Sequence, residues 1–181
     1  MSGDFILPAE LVDKARAVLA ANRAAGRRVA VAESCTAGLV CAALTELAGS
    51  SDVFEAGFVT YSNDAKMDVL HVSEDVLDTF GSVSIAAAWS MAQGALAASR
   101  ADVAVAITGI AGPDGGSERK PVGTVVFATA RRGQDPAEIV ADTKQFGDLG
   151  RAGVRLQAAL CALELLMPEE VAEPAGAPHS P

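Results

Sequence analysis

The fold of this chain is decided by the stretch Val29-Ala30-Val31-Ala32-Glu33-Ser34-Cys35-Thr36-Ala37-Gly38. The small and β-branched apolar residues at 29–32 are typical of a buried strand. An acid and a Ser-Cys-Thr cluster follow, and apolar residues then return at helical spacing from Leu39 to Leu47. The stretch therefore predicts a strand, a sharp turn and a helix.

Ser34 stands in the predicted turn, beside backbone N–H groups and the positive end of the helix dipole. These groups stabilise an anion, so Ser34 is a candidate nucleophile. A purely structural interpretation also fits, in which Ser34 or Thr36 caps the helix, because Ser and Thr are preferred at that position. The turn alone leaves both interpretations open.

The composition excludes several classes of protein. The 181 residues are 50% hydrophobic, which is enough for a substantial core, and the length favours one domain. The net charge of -9 and the absence of any Lys/Arg run argue against nucleic acid as a partner, because binding phosphates needs clustered cations. The spacing of Cys35, Cys41 and Cys161 fits neither a disulfide framework nor a zinc site. We expect reduced thiols and no metal.

The two ends of the chain carry no targeting pattern. Residues 1–8 lack a basic segment followed by an apolar one, and no stretch approaches the roughly 20 apolar residues of a membrane helix. We therefore expect an unsecreted, cytoplasmic protein with no membrane partner. Residues 168–181 are acidic, small and Pro-rich, so we expect a disordered tail after one domain at residues 1–167.

Helical and strand patterns alternate along the chain, which predicts an α/β layered domain with a mixed β-sheet flanked by helices. Ligands usually bind in the loops at the carboxyl ends of such strands, and three of these loops carry reactive residues: 34–36, 60–66 and 108–116. Besides the strand of the opening stretch, strands are predicted at 53–61, 102–108, 122–130 and 139–146. The last two are predicted to form an antiparallel pair joined by a polar turn at 131–136. Besides the helix of the opening stretch, helices are predicted at 8–25, 65–70, 73–80, from 84 onward and at 149–167.

A serine nucleophile needs a base, and neither histidine is well placed to be one. His71 lies in a helix connection and His179 in the predicted tail. A Ser-Lys arrangement is the recognised alternative, with a lysine that loses its proton near neutral pH. Lys66 is the candidate base, with Tyr61 close by in sequence to relay or orient the proton. The residue types equally fit a solvated helix lysine and a strand-end aromatic.

Five short segments of the chain form a recognisable set, and the resemblance that they carry covers roughly residues 8–167. In chain order they are Ala32-Glu33-Ser34-Cys35-Thr36-Ala37-Gly38, Thr60-Tyr61-Ser62-Asn63-Asp64-Ala65-Lys66, Gly81-Ser82-Val83-Ser84, Thr108-Gly109-Ile110-Ala111-Gly112-Pro113-Asp114-Gly115-Gly116 and Lys120-Pro121-Val122-Gly123-Thr124-Val125. Together they closely resemble the CinA C-terminal domain family. Each segment alone is weak, but the five in order are highly specific.

The resemblance implies nicotinamide-nucleotide amidohydrolase activity, in which nicotinamide mononucleotide and water give nicotinic acid mononucleotide and ammonia. It implies the stand-alone form, without the long N-terminal domain of full-length CinA proteins. It also implies that Ser34 is the nucleophile and that Tyr61 and Lys66 activate it. The expected substrate-binding residues are Cys35, Thr36, Thr108, Gly109, Gly112 and Arg151.

The expected partners are a small pyridine nucleotide and further copies of the chain. Ala-rich helices with only 4% aromatic residues leave apolar surface to cover, and closed homo-oligomers are the common solution. The proposed chemistry requires no cofactor and no metal. The substrate phosphate is assigned to the glycine-rich loop at 109–116 and to Arg151, through backbone N–H groups and a bidentate guanidinium.

Two positions depart from the family's pattern. The usual Ser-Cys-Thr-Gly-Gly is Ser-Cys-Thr-Ala-Gly in this chain, so Ala37 is strained if that residue needs a positive φ. The usual Gly-Asp-Arg near the last helix is replaced by Leu149-Gly150-Arg151, which leaves Asp148 as the neighbouring acid. An acid that orients Arg151 is therefore less strongly indicated.

Two other functions compete with a serine amidase. The first is a non-catalytic nucleotide-binding or regulatory module that retains the family's pocket. It is disfavoured because binding alone does not need Ser34, Tyr61 and Lys66 together. The second is a cysteine hydrolase that uses Cys35, which lies next to Ser34 but has no evident His partner.

Overall fold

A five-stranded mixed sheet forms the centre of the protein, and its strands run in the order β2-β1-β3-β4-β5. The computed structural model describes residues 5–135 and 137–168. β1 pairs in parallel with β2 and β3, whereas β4 pairs antiparallel with β3 and β5. The strands are β1 (Val29–Glu33), β2 (Phe54–Val59), β3 (Val103–Gly109), β4 (Thr124–Arg131) and β5 (Ala141–Gln145).

The helices cover both faces of the sheet, so the predicted α/β layered architecture is confirmed. The first face packs against α1 (Ala9–Ala24), α2 (Leu39–Thr45) and α6 (Gly150–Leu165). The second packs against α3 (Asn63–Leu70), α4 (Glu74–Phe80) and α5 (Ile85–Ala97). A short 3₁₀-helix, Ser50–Asp52, precedes β2. None of the described helices is both long enough and apolar enough to cross a membrane.

Residue size alternates along the central strands and separates two cores. In β1, Val29 and Val31 point to the first face, whereas Ala30 and Ala32 point to the second. β3 repeats this pattern, because successive side chains of a strand point to opposite faces. The alanine face lets α5 approach closely, and Gly94 of α5 leaves no room for a side chain against the Leu70 backbone. Alanines of the two central strands therefore line the sheet side of the second core, and Trp89, Met91 and Leu96 of α5 pack in the same core.

Element boundaries differ from the predicted ones by a few residues. β2 ends at Val59, two residues before the predicted end, so Thr60 and Tyr61 belong to the loop that follows. α3 begins at Asn63 because the Ser62 hydroxyl accepts a hydrogen bond from the Ala65 N–H at 3.0 Å. The predicted tail at residues 168–181 lies outside the described residues except for Pro168, and so does the last residue of the predicted turn at 131–136.

The β1–α2 turn, residues 34–38, joins the first strand to the second helix through two residues in the left-handed region. Ala37 has a φ of 49° and Gly38 a φ of 88°. Left-handed backbone is unfavourable for a residue with a Cβ, by roughly 1–2 kcal/mol. Ala37 is exposed, so its methyl group gains little from packing. Because Ala37 has a positive φ, it is strained, as the sequence analysis expected for that case.

We predict that Ala37→Gly raises the free energy of unfolding by about 1 kcal/mol, because glycine adopts positive φ without steric cost. Ala17→Gly is the matched control, since Ala17 is exposed in the interior of α1. There the same change should lower the free energy of unfolding by about 1 kcal/mol. Urea denaturation measures both, and a destabilised Ala37→Gly variant would contradict the strain at this turn.

Candidate active site

The carboxyl ends of β1, β2 and β3 meet at one edge of the sheet because the three strands are parallel. Ser34 follows β1 directly, and its N–H donates to the Ile107 carbonyl of β3 at 2.9 Å. The β2–α3 loop is tied to the same edge by the Thr60 N–H, which donates to the Glu33 carbonyl at 2.9 Å. The three loops chosen from sequence therefore surround one site.

Ser34 and Lys66 form the centre of this site. The Lys66 Nζ lies 3.1 Å from the Ser34 Oγ, with Ser34 in the β1–α2 turn and Lys66 on α3. Both residues are buried, with 8% of Ser34 and 1% of Lys66 exposed. The expected proximity of the two groups is confirmed, whereas their catalytic roles stay predictions.

The amine of Lys66 has neutral partners only. It contacts the carbonyl oxygens of Thr60 and Tyr61, each at 3.0 Å, besides the serine hydroxyl. In the described part of the chain no carboxylate forms an ion pair with Lys66. Burial lowers the pKa of Lys66, against a smaller opposite effect of Cys35. The site thus favours a neutral amine more than water does.

Glu33, a buried carboxylate next to Ser34 in sequence, is occupied elsewhere. Its oxygens accept hydrogen bonds from the N–H groups of Gly38, Val40 and Cys41, at 2.9–3.2 Å. These are N–H groups at the start of α2, which have no partner within the helix. Glu33 therefore holds the β1–α2 turn against the helix and does not form an ion pair with Lys66. Sequence analysis did not assign it this role.

Tyr61 reaches Lys66 through its backbone and not through its phenol. The Tyr61 carbonyl accepts from Lys66, while the side chain is 58% exposed. Its hydroxyl accepts a hydrogen bond from Arg151 Nη2 at 3.3 Å. A proton relay through the phenol has no contact with Lys66 or Ser34 to support it in the described part of the chain, so that role stays a prediction.

Arg151 connects two of the loops at the site. Besides Tyr61, it contacts the Gly112 carbonyl, which accepts from Nη1 at 2.9 Å. Asp148, the displaced acid, forms no ion pair with it among the described residues. A cavity of about 430 Å³ is lined by residues that include Tyr61, Gly109, Gly112, Lys120 and Arg151. The structure thus brings Gly109, Gly112 and Arg151 to one cavity.

The other predicted binding residues are buried. The Thr108 hydroxyl donates to the Ser82 carbonyl at 2.7 Å, so it secures the loop before α5. The Thr36 hydroxyl is buried and finds no hydrogen-bond partner in the described part of the chain. Burial raises the pKa of the Cys35 thiol to about 11, and the backbone N–H groups of Cys35 and Thr36 only partly offset this. Cys35 is therefore a thiol at neutral pH, which is unfavourable for a nucleophile.

Arg155 is a residue at the site that sequence analysis missed. It lies one turn after Arg151 on α6 and donates from Nη2 to the Thr36 carbonyl at 2.9 Å. The spacing of four residues was an available signal, since it places two arginines on the same helix face. Across residues 5–135 and 137–168, no cluster of three or more His, Cys, Asp or Glu side chains is arranged to hold a metal ion.

Comparison with known proteins gives consistent results. Residues 12–169 match the family model described as the CinA C-terminal domain. The chain is 51% identical over 150 residues to nicotinamide-nucleotide amidohydrolase PncC of Enterobacter agglomerans, covering 83% of this chain and 89% of that protein. The match to the protein of the same name from Escherichia coli K12 is 51% identical over 160 residues and covers 87% and 93%. The chain belongs to the CinA C-terminal domain family.

A solved structure at high sequence identity has the same fold. The competence/damage inducible protein CihA from Agrobacterium tumefaciens superposes with a TM-score of 0.84 and 48% sequence identity, covering 89% of this chain and 96% of that one. The resemblance stated from the five segments is thereby confirmed. The CinA segments 32–38 and 60–66 contain the Ser34–Lys66 contact, and segment 108–116 lines the cavity beside Tyr61.

We predict that burial of Lys66 makes the stability of this CinA domain depend on pH. The folded-state pKa is lowered, whereas an unfolded lysine titrates at about 10.4. Between the two pKa values the unfolded state binds more protons, so stability rises with pH across that window, and the cost of the buried ammonium is full below it. Lys66→Met should remove this contribution.

The measurement is urea denaturation of the wild type and of Lys66→Met at several pH values between 7 and 10.5. The difference between the two proteins cancels the groups that they share. We expect the stability of the wild type, relative to Lys66→Met, to increase toward high pH. A constant difference would show that the lysine titrates as an exposed one does.

Proposed function

We propose that this chain hydrolyses the carboxamide of nicotinamide mononucleotide to nicotinic acid mononucleotide and ammonia, with Ser34 as nucleophile and Lys66 as base. The reaction is supported by the two PncC relatives, whose names state that activity. The mechanism rests on one observation above all, the 3.1 Å contact between two buried groups, Ser34 Oγ and Lys66 Nζ. Two groups at this distance can exchange a proton directly.

In the reactive state that we propose, Lys66 is a neutral amine. A neutral amine has two N–H donors and one lone pair, and the carbonyls of Thr60 and Tyr61 accept the two donors. The lone pair is then left for the Ser34 hydroxyl, whose proton it removes when the Oγ attacks the carboxamide carbon. The fourth neighbour, the Ser62 carbonyl, is more distant at 3.5 Å.

In each half of the reaction Lys66 accepts one proton and then returns it. In the first half, the lysine takes the serine proton and returns it to the leaving nitrogen, so that ammonia departs and an acyl ester forms on Ser34. In the second half, the same amine takes a proton from water as the water attacks the ester. That proton then goes back to the Ser34 oxygen, and nicotinic acid mononucleotide is released.

The oxyanion formed in each half needs hydrogen-bond donors. The N–H groups of Cys35 and Thr36 face the Cys35 sulfur and have no carbonyl acceptor within the described residues, whereas the Ser34 N–H is used by Ile107. We assign the oxyanion to these two N–H groups, since donors aimed at developing charge are worth several kcal/mol in acyl transfer. Cys35 thus contributes its backbone, and its buried thiol argues against a cysteine hydrolase.

The rest of the nucleotide is assigned to the cavity beside Tyr61. Its volume of about 430 Å³ falls within the roughly 300–1,000 Å³ of small-molecule sites. Arg151 presents a guanidinium without a carboxylate partner in the described part of the chain, next to the glycine-rich loop. This combination suits the substrate phosphate, because arginine binds phosphate with two parallel hydrogen bonds. We also propose that the chain acts in the cytoplasm as a homo-oligomer.

We predict that Ser34→Ala abolishes the release of ammonia from nicotinamide mononucleotide without unfolding the protein. Cys35→Ala keeps the backbone N–H and should retain most of the activity. Ammonia release at saturating substrate measures both, with thermal denaturation as the control for folding. An inactive Cys35→Ala together with an active Ser34→Ala would reject the serine mechanism.

We predict that activity rises with pH as Lys66 loses its proton, at lower pH than for an ordinary lysine, because burial lowers the pKa of Lys66. Lys66→Arg should lower kcat by about 10²–10⁴-fold, because a guanidinium retains its proton and cannot serve as base. A kcat profile from pH 6 to 10 tests the first point and a single-pH comparison the second. Near-normal turnover by Lys66→Arg would return Lys66 to a structural role.

A further inference from the structure

Arg155 contacts the β1–α2 turn from the far end of the sequence. Its Nη2 donates to the Thr36 carbonyl at 2.9 Å, across 119 positions of the chain. The Leu39 N–H donates to the same carbonyl at 3.3 Å. The Thr36 carbonyl is thus held from two sides, by the start of α2 and by α6, and this fixes the peptide plane between Thr36 and Ala37.

The guanidinium of Arg155 has no carboxylate partner in the described part of the chain. It is half-buried, and its Nε is a buried donor for which residues 5–135 and 137–168 supply no acceptor. Charges in such positions are costly unless they are paired or hydrogen-bonded. In the described part of the chain the Thr36 carbonyl is the acceptor of this guanidinium, and the Glu33 carboxylate is occupied by N–H groups at the start of α2.

The position of the Thr36 backbone sets the direction of the Cys35 and Thr36 N–H groups, to which we assign the oxyanion. Thr36 is fully buried, and the Ala37 that follows it has the unfavourable φ of 49°. The turn is therefore held in a conformation that its own sequence does not favour. An outside contact at Thr36 keeps the backbone in place and with it the direction of the Cys35 and Thr36 N–H groups.

Arg151 offers a contrast on the same face of α6. It contacts the glycine-rich loop and the Tyr61 hydroxyl, both of which line the cavity. Arg155 contacts the turn that carries the nucleophile instead. We infer that Arg155 is a positioning residue for the hydrolysis, whose guanidinium holds the Thr36 carbonyl and so orients Ser34 and the adjacent N–H groups, whereas Arg151 serves substrate binding. This inference rests on the proposed function.

The test compares Arg155→Met with Arg151→Met, which remove one guanidinium each from the same helix face. For Arg155→Met we expect kcat at least tenfold lower and KM for nicotinamide mononucleotide within twofold of the wild type. For Arg151→Met we expect KM at least tenfold higher. Circular dichroism and thermal denaturation establish that equal amounts of folded protein are compared.

A second measurement uses a neutral reagent, phenylmethanesulfonyl fluoride, and no nucleotide. The Ser34 Oγ attacks the sulfur, an O–S bond forms, fluoride leaves and Lys66 takes the serine proton. Mass spectrometry follows the modification of Ser34, with Ser34→Ala as background. Arg155→Met should be modified at least fivefold more slowly than the wild type, and Arg151→Met at a rate within twofold of it.

The outcomes separate the possibilities. A raised KM with unchanged kcat in Arg155→Met, or modification at the wild-type rate, would overturn the positioning role. If Arg155→Met does not fold, Arg155→Lys is measured in its place, since it keeps the charge and a hydrogen-bond donor. A lowered kcat with an unchanged KM then supports the positioning role, and a raised KM with an unchanged kcat overturns it. Failure of the proposed function is seen separately, as a wild type that releases no ammonia, and the modification rates then still decide the role of Arg155.

Discussion

A lysine amine buried without a carboxylate partner is the constraint on which the arrangement of the loops depends. Lys66 must find neutral acceptors, and it finds them in the carbonyls of Thr60 and Tyr61 and in the Ser34 hydroxyl. The β2–α3 loop has to wrap around the amine to present those carbonyls. Its short helix begins where the Ser62 hydroxyl caps it, which sets the reach of the lysine back toward the sheet.

Two buried ionisable groups at this site are kept from neutralising each other. Glu33 accepts hydrogen bonds from the N–H groups of Gly38, Val40 and Cys41, while Lys66 contacts two carbonyl oxygens of the β2–α3 loop and the Ser34 hydroxyl. An ion pair between them would stabilise the ammonium and raise the pKa of Lys66. By giving each group backbone partners instead, the fold leaves the amine with a lowered pKa. The same separation gives the Ser34 turn a rigid connection to α2.

The last helix completes the site although it is remote in sequence. α6 packs on the first face of the sheet beside α1 and α2 and presents Arg151 and Arg155 to different loops. Together these two arginines contact three loops that carry segments of the family, at Tyr61, Gly112 and Thr36. Loops depend on such rigid elements for their precision, because loops have few packing contacts of their own.

The sequence by itself determined the layered α/β architecture, the five strands and the three loops with chemistry. These features follow from short-range patterns, such as the small and β-branched run at residues 29–32 and the helical spacing of apolar residues after it. In the structure the Ser62 and Ser84 hydroxyls accept the N–H bonds that begin α3 and α5. Local sterics and burial decide such patterns, so they can be read without the fold. The sequence also indicated the strain at Ala37, conditional on its φ.

Only the tertiary structure decided where the side chains point. In the structure, the Lys66 side chain is buried against Ser34, and the Tyr61 carbonyl rather than its phenol contacts that lysine. The Glu33 carboxylate accepts from N–H groups at the start of α2, and Arg155 donates to the Thr36 carbonyl. The contacts of Lys66 with Ser34 and of Arg155 with Thr36 join residues 32 and 119 positions apart. The direction of a loop side chain is set by which acceptors and cavities those elements supply, and no local pattern contains that information.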